Sequence, residues 1–109
     1  MRNTLILLAL ACSGCMTSMA GIRGKAVQEE VVSPKSIEQI ERCIVLSQPG
    51  ERTPYAVTVD GVRELTINQE IAGAVMLFQM RAVKGGTEVT FRRKGALVNH
   101  DDKARACYS

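Results

Sequence analysis

The chain is poor in aromatic side chains and has almost no histidine. Its 109 residues include no tryptophan, two tyrosines, two phenylalanines and one histidine, so aromatic residues make up 4% of the sequence. A core with so few rings has to be built mainly from aliphatic and methionine side chains, which fill space but specify shape weakly. The single histidine, His100, excludes any site that needs two imidazole groups.

Long apolar runs and a strong net charge are also missing. The longest apolar run, residues 5–11, is far shorter than the ~20 residues that cross a bilayer. The net charge of +3 is too small to indicate a nucleic-acid-binding protein. The sequence contains no phosphate-binding glycine loop, no H-E-x-x-H motif and no EF-hand motif. We therefore expect no enzyme, no cofactor, no metal and no nucleic-acid partner.

The first fifteen residues have the composition of an export signal. Arg2 precedes the apolar run, and small residues follow the run as far as Cys15. Ser13 and Gly14 before Cys15 resemble the signal of bacterial lipoproteins, with Cys12 at a position where an aliphatic residue is usual. The resemblance implies that residues 1–14 are removed and that Cys15 carries a diacylglycerol and an N-acyl chain. Several acyl chains hold a protein on a membrane essentially permanently.

The residues around Cys15 also bear on the location of the protein. Lipoproteins of this kind tend to stay in the inner membrane when aspartate follows the lipidated cysteine, and here Met16 follows it. The resemblance therefore implies the outer membrane, facing the periplasm. Three alternatives stay open. Cleavage before Cys12 would leave an even shorter signal, with Cys12 as the lipidated residue. Ordinary cleavage after Ala20 would release a soluble protein, and Cys12 with Cys15 forms a C-x-x-C pair of the redox or zinc type.

Behind the signal, residues 15–32 are predicted to form the lipidated cysteine and a flexible tether, because they contain glycines, mixed charge and little periodic hydrophobicity. Residues 33–109 are predicted to form a single globular domain. The domain contains two cysteines, Cys43 and Cys107, and in an oxidising compartment their simplest state is a disulfide. Closing so long a loop is expected to contribute ~4 kcal/mol to stability. A free reactive thiol is the alternative.

The predicted fold class is α+β, with an N-terminal helix packed on a small antiparallel sheet of about four strands and a short C-terminal helix. Ser33 and Pro34 predict the start of the first helix, since serine is a favoured N-cap and proline is tolerated in the first helical position. Isoleucines at helical spacing, among them Ile40 and Ile44, predict its buried face. The helix is expected to end near Gln48, because proline and glycine follow.

Alternating apolar and polar residues predict two strands that meet at Asp60 and Gly61. A two-residue turn there would pair Val57 with Glu64. A three-residue turn or a bulge would pair Val57 with Leu65, and the hydrophobic register favours this second arrangement.

A second hairpin is predicted with Gly85 and Gly86 as its two-residue turn, so that Met80 lies opposite Phe91. Residues 70–82 also carry a spacing compatible with a helix, and the choice between strand and helix stays open. The register with the following strand favours the strand.

One face of this hairpin is polar and mostly basic. Arg81, Arg92 and Lys94 lie on it and are candidates for a binding surface for anionic envelope glycans, lipid headgroups or an acidic protein. A solvated strand face, protected from edge pairing by its charge, is the favoured interpretation.

Asn99 is predicted to cap the C-terminal helix, with Asp101 and Asp102 in its first turn, where the helix dipole favours acids. This structural reason is sufficient for both acids. Since adjacent residues at a helix start point in different directions, His100 beside them does not form a metal site or a catalytic triad.

Three classes of function follow from these patterns. The leading one is a non-enzymatic binding or structural module on the envelope membrane, with the lipid anchor in the membrane and an envelope protein or anionic glycan as its partner. The alternative is a secreted or periplasmic inhibitor or immunity-type protein without a lipid anchor, for which residues 48–54 offer the only candidate loop. A hydrolase is least favoured, because His100 would be its sole imidazole.

Overall fold

The computed structural model describes residues 19–95 and 101–109. In this part of the chain the elements are α1 (Met19–Arg23), β1 (Val27–Ser33), α2 (Ile37–Ser47), β2 (Arg52–Val59), β3 (Val62–Gln69), β4 (Gly73–Val83), β5 (Gly86–Arg93) and α3 (Asp101–Ala106). The predicted α+β class is confirmed, with five strands in the sheet instead of four. The predicted signal, the lipidation site Cys15, the cap Asn99 and His100 lie outside the described residues.

The order of the strands explains why α2 has the length that it has. All neighbouring strands are antiparallel, in the order β1-β5-β4-β3-β2, so β1 and β2 are the two edges of the sheet. Since α2 connects β1 to β2, it has to cross the whole sheet. Four strand spacings amount to about 19 Å, and a helix of 11 residues is about 16 Å long. The length of the helix therefore matches the width of the sheet.

The prediction of a flexible tether over residues 15–32 is wrong for the part of it that the structure describes. Residues 19–23 form α1, and β1 pairs with β5, with Glu29 opposite Phe91 and Val31 opposite Val89. The sequence of β1 alternates only weakly between apolar and polar residues, and its partner strand lies about sixty residues later in the chain. The local sequence therefore did not show that this segment belongs to the sheet. The folded domain therefore begins well before residue 33.

The helix α2 begins three residues later than predicted. Its N-cap is Ser36, whose hydroxyl accepts a hydrogen bond from the backbone N–H of Gln39 at 3.2 Å, while the Gln39 side chain accepts one from the N–H of Ser36 at 3.0 Å. This reciprocal pair is a capping box. Ser33 instead ends β1 as a fully buried residue. The predicted end of the helix is confirmed, with Gln48 as the C-cap.

The first hairpin has the two-residue turn, so the predicted pairing of Val57 with Leu65 is wrong. Val57 lies opposite Glu64. Asp60 and Gly61 both have positive φ, 51° and 79°, as the tight turn that matches strand twist requires. The turn decides the register here because β2 is an edge strand whose side chains are mostly exposed, so hydrophobic pairing constrains it little.

The second hairpin is a strand pair, so the helical alternative for residues 70–82 is wrong from residue 73 onward. Its turn is one residue earlier than predicted, at Lys84 and Gly85, and Met80 lies opposite Val89 instead of Phe91. The observed partner of Met80 is therefore two positions away from the predicted one along β5. Because side chains alternate with a period of two, the prediction of which residues share a face survives this shift.

The main core lies between α2, α3 and one face of the sheet. Ile40 and Ile44 of α2 are fully buried against the sheet's apolar side chains. The rings of Phe78 and Phe91, on neighbouring strands, are stacked with centroids 4.8 Å apart, and Tyr108 meets Phe78 edge-on at 6.2 Å. Three of the chain's four aromatic residues thus meet in one place, and the rest of the core is aliphatic and methionine, as the composition predicts.

The predicted disulfide is present and holds α3 on α2. The sulfurs of Cys43 and Cys107 are 2.06 Å apart, and the two Cα atoms are 5.6 Å apart. Cys107 is almost fully buried, and its carbonyl oxygen accepts a hydrogen bond from the Lys35 ammonium at 3.1 Å. The C-terminal helix, itself confirmed with Asp101 and Asp102 in its first turn, therefore closes the core from one side.

At Gly86 the start of β5 comes very close to the backbone at the end of β1. The φ of Gly86 is +148°, and a Cβ atom there would lie 1.8 Å from the carbonyl oxygen of Ser33. Gly85 also has a positive φ, +91°, but a Cβ atom there would meet nothing within 4 Å. A Cβ at Gly50 would also meet nothing, and that residue has no positive φ.

We expect Gly86→Ala to lower the free energy of unfolding by about 2 kcal/mol or more, because backbone strain and a clash with Ser33 act together. Gly85→Ala should lower it by about 1 kcal/mol through strain alone, and Gly50→Ala should change it by less than about 0.5 kcal/mol. Urea unfolding of the three variants measures this order. Equal effects of Gly85→Ala and Gly86→Ala would contradict the close approach of β1 to the start of β5.

Candidate functional site

A groove of about 510 Å³ lies between the edge strand β1 and helix α3. Val31 and Val32 both line it, together with Ala106 from the helix. Since successive residues of a strand point to opposite faces, a groove lined by both valines wraps around the edge of β1. Among the described residues, no strand pairs with β1 at this edge. Val32 is 60% exposed. The groove therefore combines apolar side chains with the backbone edge of a strand.

The polar part of this groove is a three-residue cluster. Arg105 donates hydrogen bonds to both carboxylate oxygens of Glu29, at 3.3 and 3.1 Å. The hydroxyl of Tyr108 donates to the same carboxylate at 2.7 Å. Asp102 lies at the rim, 81% exposed and 3.9 Å from Arg105. Asp102 is thus the acid of the groove that stays available to a ligand.

The protonation states of this cluster are held fixed. The hydrogen bonds from Arg105 and then from Tyr108 hold the pKa of Glu29 below its ordinary value. Burial, followed by the hydrogen bond to Glu29, raises the pKa of Tyr108. Near neutral pH the carboxylate is therefore ionised and the phenol is protonated. A general acid or base needs a pKa near the working pH, so this cluster is suited to binding and to positioning α3.

A second polar network lies on the other face of the sheet. Glu64 is 4% exposed there and receives hydrogen bonds from Arg23 of α1 at 2.9 Å and from Gln79 at 3.0 Å. Gln79 in turn accepts a hydrogen bond from Arg92. The Arg23 guanidinium, with the burial opposing it, holds the pKa of Glu64 below its usual range. The network binds α1 onto three neighbouring strands.

The predicted basic surface has its members spread over the length of the sheet. Arg81 forms an ion pair with Glu88 at 2.7 Å, and Arg92 donates to the carbonyl oxygen of Lys25 at 3.1 Å. Arg92 lies four positions beyond Glu88 on β5, which is about 14 Å. Lys94 follows β5, and its ammonium donates to the carbonyl oxygen of Ala72 at 3.2 Å. The three side chains therefore have separate partners and do not form one cluster.

Asp101 has a structural role. It is 2% exposed and forms an ion pair with Arg93, which leads out of β5. Within the described residues, no group of three or more histidine, cysteine or acidic side chains is arranged to hold a metal ion.

The groove residues Glu29, Arg105 and Tyr108 were not predicted as a site. Glu29 falls in the segment predicted as a tether, and its partners lie 76 and 79 positions later in the chain. The one available signal was Tyr108, an aromatic residue in a chain that has only four of them. A rare aromatic close to a bridged cysteine favours a buried position over a solvated one.

Comparisons with known proteins give no relative. No family model matches the chain, and neither a curated protein nor a solved structure is significantly similar to it. None of the helices within residues 19–95 and 101–109 is long and apolar enough to span a bilayer.

We expect Glu64→Gln to lower the free energy of unfolding by about 1–3 kcal/mol at neutral pH, because the ionised Glu64 receives charge-assisted hydrogen bonds while mostly buried. Glu88→Gln is the control, since its ion pair with Arg81 is exposed and such pairs contribute about 0–1 kcal/mol.

The same pair of variants tests the lowered pKa of Glu64. A depressed carboxylate pKa stabilises the fold above the unfolded-state value of about 4.3, and this contribution is lost as the pH falls through the folded-state pKa. The difference in stability between the wild type and Glu64→Gln should therefore shrink below about pH 4. A difference that stays constant down to pH 2 would argue against a charged Glu64 in the network.

Proposed function

We propose that this protein is a small lipoprotein of the bacterial cell envelope that acts as a non-enzymatic binding module. Its anchor is the acylated Cys15, and its proposed place is the outer membrane, facing the periplasm. Its partner is an envelope protein that docks in the groove between β1 and α3. Catalysis is not part of the proposal, because the pKa of Glu29 is lowered and that of Tyr108 is raised, so both are moved away from neutrality.

The observation that carries the proposal is the disulfide between Cys43 and Cys107. Disulfides form and persist in secreted and periplasmic proteins and are rare in the reducing cytosol. This bond agrees with an export signal at residues 1–14. The disulfide and the composition of the export signal both favour a location on the periplasmic side of the inner membrane.

The position of α1 favours cleavage before Cys15 over cleavage after Ala20. Ala20 is the second residue of α1, and Ile22 of this helix is fully buried. Cleavage after Ala20 would leave only three residues of the helix behind a new charged terminus. Processing at Cys15 leaves the whole helix in the mature protein.

The groove supports an extended polypeptide as the partner. A strand at the edge of a sheet has unpaired backbone N–H and C=O groups, and an added strand from another protein can pair with them. Val31, Val32 and Ala106 supply apolar contacts for alternate side chains, and Asp102 favours a basic residue in the ligand. This is the physical basis of strand addition beside a helix.

The alternative function, a soluble inhibitor, is supported less. Its candidate loop, residues 48–54, is reduced to residues 49–51, because Gln48 caps α2 and β2 begins at Arg52. The backbone N–H of Arg52 donates to the carbonyl oxygen of Pro49 at 3.0 Å and closes a tight turn. A loop of this size offers little to insert into an enzyme cleft.

We expect Cys15→Ala to move the protein from the membrane fraction to the soluble fraction of producing cells. Cys12→Ala is the matched control and should leave the protein on the membrane, with mass spectrometry showing an acylated Cys15 at the mature N-terminus. Release of the protein by Cys12→Ala would contradict the proposed anchor. Membrane retention of Cys15→Ala with an unchanged N-terminus would contradict it too.

A photo-crosslinking amino acid at position 32 should capture an envelope protein in living cells, whereas the same group at position 59 should not. Val32 lines the groove, and Val59 is a valine of comparable exposure on the opposite edge strand, at 60% and 45%. Adducts formed equally from both positions, or from position 59 alone, would contradict the groove as the partner site.

A further inference from the structure

One end of the sheet carries the two most exposed of the large apolar side chains in the described residues. This end, which we call the anchor end, contains the last turn of α2 and the turn between β3 and β4. Its exposed apolar residues are Leu46 (78%) and Ile71 (84%).

The strand order places these two residues at the same end. Ile71 is in the turn directly after β3. Leu46 lies just before the loop from which β2 starts opposite the last residue of β3. Val27 and Tyr55, also exposed, share a row with Thr66 in the middle of β3 and do not belong to this end.

Helix α1 is packed at this same end. Ile22 is fully buried in a small cluster with Ala74 and Leu77, and Ala74 comes three positions after Ile71. Arg23 is held to Glu64 by two hydrogen bonds. The first described helix is therefore part of the folded body and does not act as a flexible spacer.

The chain between the proposed lipidation site and α1 is short. Only residues 16–18 lie between Cys15 and Met19. Four Cα steps span at most about 14 Å when fully extended, and a headgroup layer is about 5–8 Å thick on each side of a bilayer. A folded body tethered this closely stays within about 14 Å of the lipidated cysteine, so its nearest parts lie at or just above the headgroup layer.

We propose that the anchor end docks on the phospholipid bilayer that holds the acyl chains, with Ile71 as the side chain that enters the headgroup layer. This inference rests on the proposed lipidation of Cys15. The Lys94 ammonium, 3.2 Å from the carbonyl oxygen of Ala72, lies beside the turn, where lipid phosphates would meet it. Glu70, exposed next to Ile71, keeps the turn at headgroup depth.

The absence of tryptophan from the chain provides a clean reporter. Ile71→Trp places the only tryptophan at the anchor end, and Lys84→Trp places it in the exposed turn at the opposite end of β4. The mature lipoprotein is purified and inserted into vesicles of phosphatidylethanolamine with a minority of phosphatidylglycerol. We expect a blue-shifted emission and strong quenching by brominated lipids for Ile71→Trp, and neither effect for Lys84→Trp.

A second arm separates the docking from the anchor. The chain from Cys15 onward is produced without acylation and coupled through the Cys15 thiol to a maleimide lipid in the same vesicles. If native protein has an unmodified Cys15, the proposed function fails, and the coupled protein still measures the docking. Equal exposure of the reporters at positions 71 and 84 in the coupled protein would overturn the docking itself.

The remaining outcomes distinguish lipid from a protein partner at the anchor end. A reporter at position 71 that becomes buried only when envelope protein is added would assign the anchor end to a protein partner and overturn the lipid assignment. Glu70→Trp, in the same turn, repeats the measurement, so that a folding defect peculiar to one variant does not leave the question unanswered. Unchanged thermal midpoints of the variants show that each reporter sits on the folded domain.

Discussion

The pairing of β1 with β5 is the constraint on which the rest of the architecture depends. It joins the first strand of the chain to the last, so that α2 has to cross the sheet to reach β2 at the other edge. It brings Ser33 against Gly86 at a distance that leaves no room for a side chain. It also carries Glu29 to the place where Arg105 and Tyr108 close on it. The groove, the crossing helix and the special glycine all follow from one antiparallel contact.

Local patterns predicted the parts of the fold that local physics determines. The buried stripe of α2, its end at Gln48, and the alternation in β5 were confirmed because periodicity and turn residues act over a few positions. The disulfide was predicted because only two cysteines remained in the domain. The hairpin registers failed by one or two positions, since they depend on the φ values of Asp60 and Gly85, which composition indicates only coarsely.

Local sequence patterns could not predict the long-range contacts. The strand β1 has an ordinary polar sequence, and only its partner shows that it belongs to the sheet. The same applies to Glu64, a polar residue of an alternating strand, which is buried under α1 and hydrogen-bonded to Arg23, 41 positions earlier. For the site, sequence reasoning found the cysteines and the basic residues. It did not find the groove, because the groove is made by two segments from opposite ends of the domain.

If the protein is exported as proposed, the separation of the bridged cysteines has a consequence for the order of events during export. A chain that crosses the membrane with its N-terminus first presents Cys43 to the oxidising compartment while Cys107, 64 positions later, is still inside. During that interval the nearest thiol with which Cys43 can pair wrongly is Cys15. A thioether-linked lipid on Cys15 has no free sulfur to offer. Acylation would then act as a protecting group, leaving Cys43 unpaired until its correct partner emerges.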